Sequence, residues 1–169
     1  MKNIYAAVAF ALFLTACSGT DDTDISTTNT TTCHDTLAGK VSIVDYWVRE
    51  APSGRPMSAA YLTICNQTDQ PIVMVGANAD IADATELHQT TRDRDGIASM
   101  SPLDRLEIAP GGSVSLEPGG AHIMLIGVKE PVLAGNLVDL TVQFEKAPPI
   151  AVQAEARATT PAQSHHGGH

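Results

Sequence analysis

Proline and glycine punctuate this chain repeatedly and cut much of it into short runs. Two Pro-Gly-Gly triplets, at 110–112 and 118–120, are separated only by Ser113–Glu117. Further breaks fall at Ala51–Pro56, at Asn66–Asp69 with Pro71, and at Arg92–Gly96. Gly supplies positive φ at low cost and Pro fixes φ at the start of a turn, so each triplet reads as a turn. Between the breaks lie runs rich in β-branched and aliphatic residues: Val41–Val48, Ala59–Asn66, Ile72–Ala77, Ala84–Thr91, Ile97–Met100, Leu103–Ile108, Val114–Leu116, His122–Val128, Leu137–Phe144 and Ile150–Ala156. Short strands at roughly ten-residue spacing indicate an all-β antiparallel sandwich or barrel. No long segment carries a helical apolar period, and no internal repeat is evident.

The two ends have a different texture. Residues 1–17 combine Lys2 with an apolar run, Ile4–Leu14, that is too short for a permanent membrane span. The run ends in Leu14-Thr15-Ala16-Cys17, which resembles the bacterial lipobox. That resemblance implies a lipoprotein signal peptide, cut before Cys17, with Cys17 carrying the lipid. The competing reading is an ordinary signal peptide cut near Ala16. Ser18, not Asp, follows the Cys, and resemblance to known lipoprotein sorting signals then implies the outer membrane of a diderm envelope, with the protein facing the periplasm. Residues 18–32 are nearly all Ser, Thr, Asp, Asn and Gly, and cannot bury enough apolar surface to offset their ordering entropy. The expected organisation is therefore a signal peptide over 1–17, a disordered tether over 18–39, a β-domain over 40–157, and a flexible tail over 158–169. The tail carries His165, His166 and His169.

Charge narrows the partners. The formal net charge of −9 argues against nucleic acid, which needs clustered Lys and Arg, and against an electrostatic grip on anionic lipid. The expected membrane contact is through the lipid alone. Three cysteines are present. With Cys17 assigned to lipid, Cys33 and Cys65 remain, and in an oxidising compartment two such thiols are expected to pair; the competing reading is two unrelated cysteines, with Cys65 a small buried strand residue.

The chemistry concentrates between His88 and Met124. This stretch holds His88, Met100, His122 and Met124. A β-hairpin symmetric about residue 94 would set His88 directly opposite Met100, on one face. His122 and Met124 stand at i and i+2 of one strand and share a face as well. Any one of these residues alone is an ordinary surface histidine or core methionine. Together, two imidazoles and two thioethers make a soft, neutral ligand set, poor for Mg²⁺, Ca²⁺ or Zn²⁺ and good for Cu(I). No carboxylate belongs to the set, although Glu86 is close in sequence. A blue-copper electron carrier would also need a Cys thiolate, and none lies between His88 and Met124. The pattern points to copper carriage rather than electron transfer.

At these residues the chain resembles the periplasmic Cu(I) chaperones called PCu(A)C. Their pattern is His, an optional Met, ten residues, Met, twenty-one residues, His, any residue, Met. Here it is met by His88, Met100, His122 and Met124. Ala59-Ala-Tyr-Leu-Thr-Ile64, Glu86-Leu-His88 and both Pro-Gly-Gly triplets resemble the family too, over about residues 41–156. Gln89 stands at the optional Met position, which removes a spare thioether but none of the four ligands. Met57 and Met74 match no motif position and read as packing or loop residues. The resemblance implies a cupredoxin-like, Greek-key β-sandwich holding one exposed Cu(I). It also implies delivery of copper to the CuA centre of cytochrome c oxidase, alongside a Sco-type protein. Some members carry C-terminal extensions that bind Cu(II), which makes His165, His166 and His169 a candidate second metal site.

The function expected from the sequence is a membrane-tethered copper chaperone. A periplasmic copper buffer or resistance protein without a dedicated acceptor is the alternative, and a metal-free structural lipoprotein is a reading of a different class. No nucleophile–base pair or carboxylate dyad stands out, so an enzyme is not expected.

Overall fold

A computed structural model describes Cys33 and residues 39–159. It contains ten strands: β1 (Val41–Arg49), β2 (Met57–Asn66), β3 (Ile72–Ala79), β4 (Ala84–Arg92), β5 (Ala98–Pro102), β6 (Leu106–Ile108), β7 (Ser113–Leu116), β8 (Ala121–Ile126), β9 (Leu137–Phe144) and β10 (Ile150–Arg157). Their hydrogen-bonded order is β5-β4-β8-β2-β1-β10-β9-β3-β6, with β7 also pairing with β2. The first half of β2, Met57–Ala60, pairs with β8, and the second half, Leu62–Cys65, pairs with β7.

The sheet is mixed rather than purely antiparallel. Strand β1 runs parallel to β10, with Trp47 opposite Glu155 and Arg49 opposite Arg157. A parallel pair cannot be joined by a tight turn. These two strands are the first and last of the domain, so the rest of the chain serves as their connection. The remaining pairs are antiparallel.

The strand path curls so that both halves enclose one aliphatic core. Leu62 and Ile64 from β2, Leu87 from β4, Ile108 from β6, Ile123 and Leu125 from β8, and Val138, Leu140 and Val142 from β9 belong to one buried cluster. Each such side chain contributes about 1.5–3 kcal/mol by leaving water. Met74 is fully buried in this core, as a packing residue. Met57 is instead an exposed strand residue.

Alternation along the strands divides inner from outer side chains, interrupted by register shifts in β3, between Met74 and Gly76, and in β1. There the register shifts by one residue between Val44 and Trp47, and Asp45 takes a φ of 50°. Ile43 and Val48 both belong to the core although an odd number of positions separates them. A bulge of this kind reverses the facing of everything after it. Trp47 and Arg49 are thereby turned to the outer face.

Both Pro-Gly-Gly triplets form turns. Gly112 N–H donates to Ala109 O and Gly120 N–H to Glu117 O, each at 3.0 Å, and Gly111 and Gly119 have φ of 65° and 85°. Cys33 and Cys65 form a disulfide with a Cα–Cα distance of 5.4 Å. It fastens a residue expected in the tether to the end of β2.

Candidate metal centre

Three adjacent strands present the site residues on the outer face. In β8, Ala121, Ile123 and Leu125 point into the core, so His122 and Met124 point out. In β4, Leu87 points in, so Glu86 and His88 point out. The β4–β8 register sets His88 opposite His122 and Glu86 opposite Met124. The two imidazole centroids are 6.0 Å apart.

Met100 does not lie directly opposite His88, as the symmetric hairpin would require. His88 pairs with Pro102, and Met100 pairs with Thr90. The cause is the turn. The Asp93 carboxylate accepts from Asp95 N–H at 3.0 Å and Ile97 N–H at 2.8 Å, and Gly96 follows with a φ of 81°. The loop is thus Asp93–Ile97, centred one residue later than residue 94. Because Met100 and Pro102 are i and i+2, Met100 still shares the face of His88, one diagonal step toward the turn.

The cleft that results has a volume of about 260 Å³ and is lined by Met100, His122, Met124, Tyr61 and Thr90, among others. His122 is buried at 6% exposure, whereas Met100 is open at 55%. His88 reaches the group through its ring contact with His122. All four residues named from the sequence therefore meet on one outer face, three of them in one cleft.

The ring nitrogens are already allocated. His122 Nδ1 lies 3.1 Å from Gly120 O. A carbonyl can only accept, so Nδ1 carries the proton and Nε2 keeps its lone pair. His88 Nε2 lies 2.8 Å from Glu86 Oε2, and an ionised carboxylate again only accepts. That leaves the lone pair on His88 Nδ1, which is buried and has no hydrogen-bond partner among the described residues. A buried acceptor without a partner is costly unless something else fills the role. Two oriented imidazole lone pairs beside two thioethers fit a soft metal ion. Among the described residues, no three His, Cys, Asp or Glu side chains gather as they would for a harder ion.

Several participants were not singled out from the sequence. Glu86 orients His88, and its position two residues away on the same strand was the available signal. Gly120, read only as part of a turn, accepts from both His122 and Thr90 N–H. Tyr61 and Trp47 extend the site into a row of rings. Trp47 and Tyr61 have centroids 4.4 Å apart, and Tyr61 and His122 lie at 6.4 Å. Burial pushes the Tyr61 hydroxyl above its usual pKa, while the nearby Arg49 charge acts in the opposite sense. Cys17 and His165, His166 and His169 lie outside the described residues.

The sequence profile of a family described as "Putative lipoprotein LpqE-like" matches residues 41–156. The "Putative lipoprotein Lxx21020" of Leifsonia xyli subsp. xyli is 32% identical over 117 residues, covering 68% of this chain and 69% of that protein. Among solved structures, the copper-bound PCuAC domain from PmoF2 superposes with a TM-score of 0.61 at 22% identity, over 73% of this chain and 97% of that one. The Cu(I) form of DR1885 from Deinococcus radiodurans superposes with a TM-score of 0.55 at 28% identity, over 77% of this chain and 85% of that one. The fold is thus that of the PCuAC domains, a cupredoxin-like β-sandwich.

Proposed function

Because the chain belongs to the LpqE-like family, we propose that it is an extracytoplasmic copper chaperone that binds one Cu(I) through His88, Met100, His122 and Met124. The observation that carries this reading is the pair of oriented imidazole lone pairs, on His88 Nδ1 and His122 Nε2, on the face that also holds two thioethers. The Cu(I) form of DR1885, at 28% identity, supports it.

The donor set explains how the cargo could be both held and released. Imidazole and thioether are neutral ligands of moderate strength, so a Cu(I) ion is bound without a thiolate that would trap it. Met100, the most open of the four, is the natural first ligand to be displaced by an incoming donor. His122, held by Gly120 and buried, is the natural last. Cys17 would hold the protein to the membrane by lipid, with 18–39 as leash, and the tail histidines would gather Cu(II). The acceptor would be the CuA centre of cytochrome c oxidase or a Sco-type protein. The alternative role is copper buffering. Normal CuA assembly under copper limitation in a deletion strain would favour that alternative.

The ligand set is tested by Cu(I) competition against a chromophoric chelator, in protein whose three tail histidines are replaced by alanine. One Cu(I) should bind tightly, and Met100→Ala combined with Met124→Ala should abolish tight binding. Unchanged affinity in the double variant would overturn the assignment.

A further inference from the structure

The cleft beside the proposed metal ligands has a charge opposite to that of the chain. The protein has 19 Asp and Glu against 10 Lys and Arg, yet two arginines, Arg49 and Arg92, line the cleft and no Asp or Glu does. Arg49 is half-buried there because the β1 bulge turns it outward. Among the described residues the one arginine paired with an acid is Arg105, with Glu145, so neither cleft arginine has an acidic partner there. Arg92 donates one hydrogen bond, to Gly96 O at 3.2 Å, and its other donors have no partner among the described residues. Tyr61 and Thr90 line the same space.

A half-buried guanidinium without a counter-ion is a fork of donors in search of an acceptor, and the group that fits it best is a planar carboxylate or similar oxyanion. The surrounding field matters too. A carboxylate-bearing molecule approaching a protein of net charge −9 is repelled on average, and a local positive cleft gives it one favourable landing place.

Resting on the copper reading above, we propose that Arg49 and Arg92 form an anion subsite beside the metal ligands, which seats a carboxylate carried by the molecule that exchanges copper with this protein. The subsite selects the partner and orients it, while the His and Met ligands hold the ion. Copper exchange is then faster with carboxylate-bearing partners than with cationic ones, and the advantage fades with salt.

The test uses the whole protein and its Arg49→Gln/Arg92→Gln variant. Stopped-flow mixing follows Cu(I) delivery from the bicinchoninate complex, a polyanion bearing carboxylates, and from the neocuproine complex, a cation. A Met-rich Cu(I) peptide with Glu flanks, against the same peptide with Lys flanks, repeats the comparison for a protein-like source. At low salt the variant should lose about tenfold or more in rate with the carboxylate donors. Cationic donors should not be slowed, and Arg49→Lys/Arg92→Lys should recover part of the loss. An effect confined to the Glu peptide assigns the carboxylate to a protein partner, and one confined to bicinchoninate assigns it to a small chelate. Equal slowing with all donors, or no slowing with either carboxylate donor, overturns the subsite. A copper-free arm separates it from the copper reading: glutarate should shift the Arg49 and Arg92 side-chain NMR resonances of the wild type, against sodium chloride at equal ionic strength. Glutarate shifts in a protein that takes copper from no donor would leave the subsite standing and remove the copper function. No glutarate shifts would overturn the subsite whatever the copper result.

Discussion

His88 and His122 stand directly opposite each other on the β4–β8 ladder, with ring centroids 6.0 Å apart, and each has one nitrogen engaged by a neighbour two residues before it. Glu86 holds one ring and Gly120 O holds the other. The rings are therefore oriented before any ion arrives, and binding need not fix them.

The Glu86 contact predicts a loss that is not a loss of a ligand. Outer partners of metal-binding histidines are worth about 10–100-fold in affinity. Glu86→Ala should lower Cu(I) affinity by about that factor while the far-UV spectrum and stability stay close to wild type. Competition titration beside chemical denaturation checks both. Wild-type affinity in Glu86→Ala would mean that the carboxylate does not orient His88.

Trp47 offers an optical reporter, since it is the one tryptophan in the chain and stacks on Tyr61 next to His122. Its emission should change on copper loading and level off at one equivalent. The same titration of Met100→Ala/Met124→Ala should show no saturating change.

Tyr61 predicts an alkaline loss of stability. Burial raises its folded pKa above 10.0, so the folded state holds the phenolic proton more tightly than the unfolded chain does. By linkage, this contribution is complete below pH 10 and disappears as pH rises through the folded value. Arg49 opposes the shift, so Arg49→Gln should move the Tyr61 titration higher still. Tyrosinate absorbance and denaturation midpoints across alkaline pH measure both effects, and Tyr61→Phe should flatten the decline.

The disulfide closes a sequence separation of 32 residues. A loop of that size gives a chain-entropy contribution of about 3–4 kcal/mol. Cys33→Ser/Cys65→Ser should unfold at lower denaturant by about that amount, measured against wild type without reductant. Reductant should bring wild type down to the variant and leave the variant unmoved.

Much of this was legible in the sequence, for identifiable reasons. Strand alternation put His122 and Met124 on one face because β8 is regular and its odd positions are uniformly apolar. Pro and Gly located most strand ends. The pairing of His88 with Met100 was read one step out of register, because the Asp93 side chain, not the sequence midpoint, sets where that hairpin turns. Trp47 and Arg49 were hidden for another reason. Simple alternation from Ile43 would point them into the core, and only the bulge at Asp45 turns them toward the site. The parallel β1–β10 pair joins segments at opposite ends of the domain, and no local pattern records such a partnership.

The Cys33–Cys65 bond also has a mechanical side. Any pull on the chain from its amino-terminal direction meets Cys33 first and passes through sulfur to Cys65, at the last turn of rungs in β2. Strand β1, which begins at Val41, is spared that force and cannot be peeled from its neighbours one hydrogen bond at a time. The pull arrives instead at the end of β2 remote from Met57 and Ala59, the half that pairs with β8 and sets Ala59 opposite Met124.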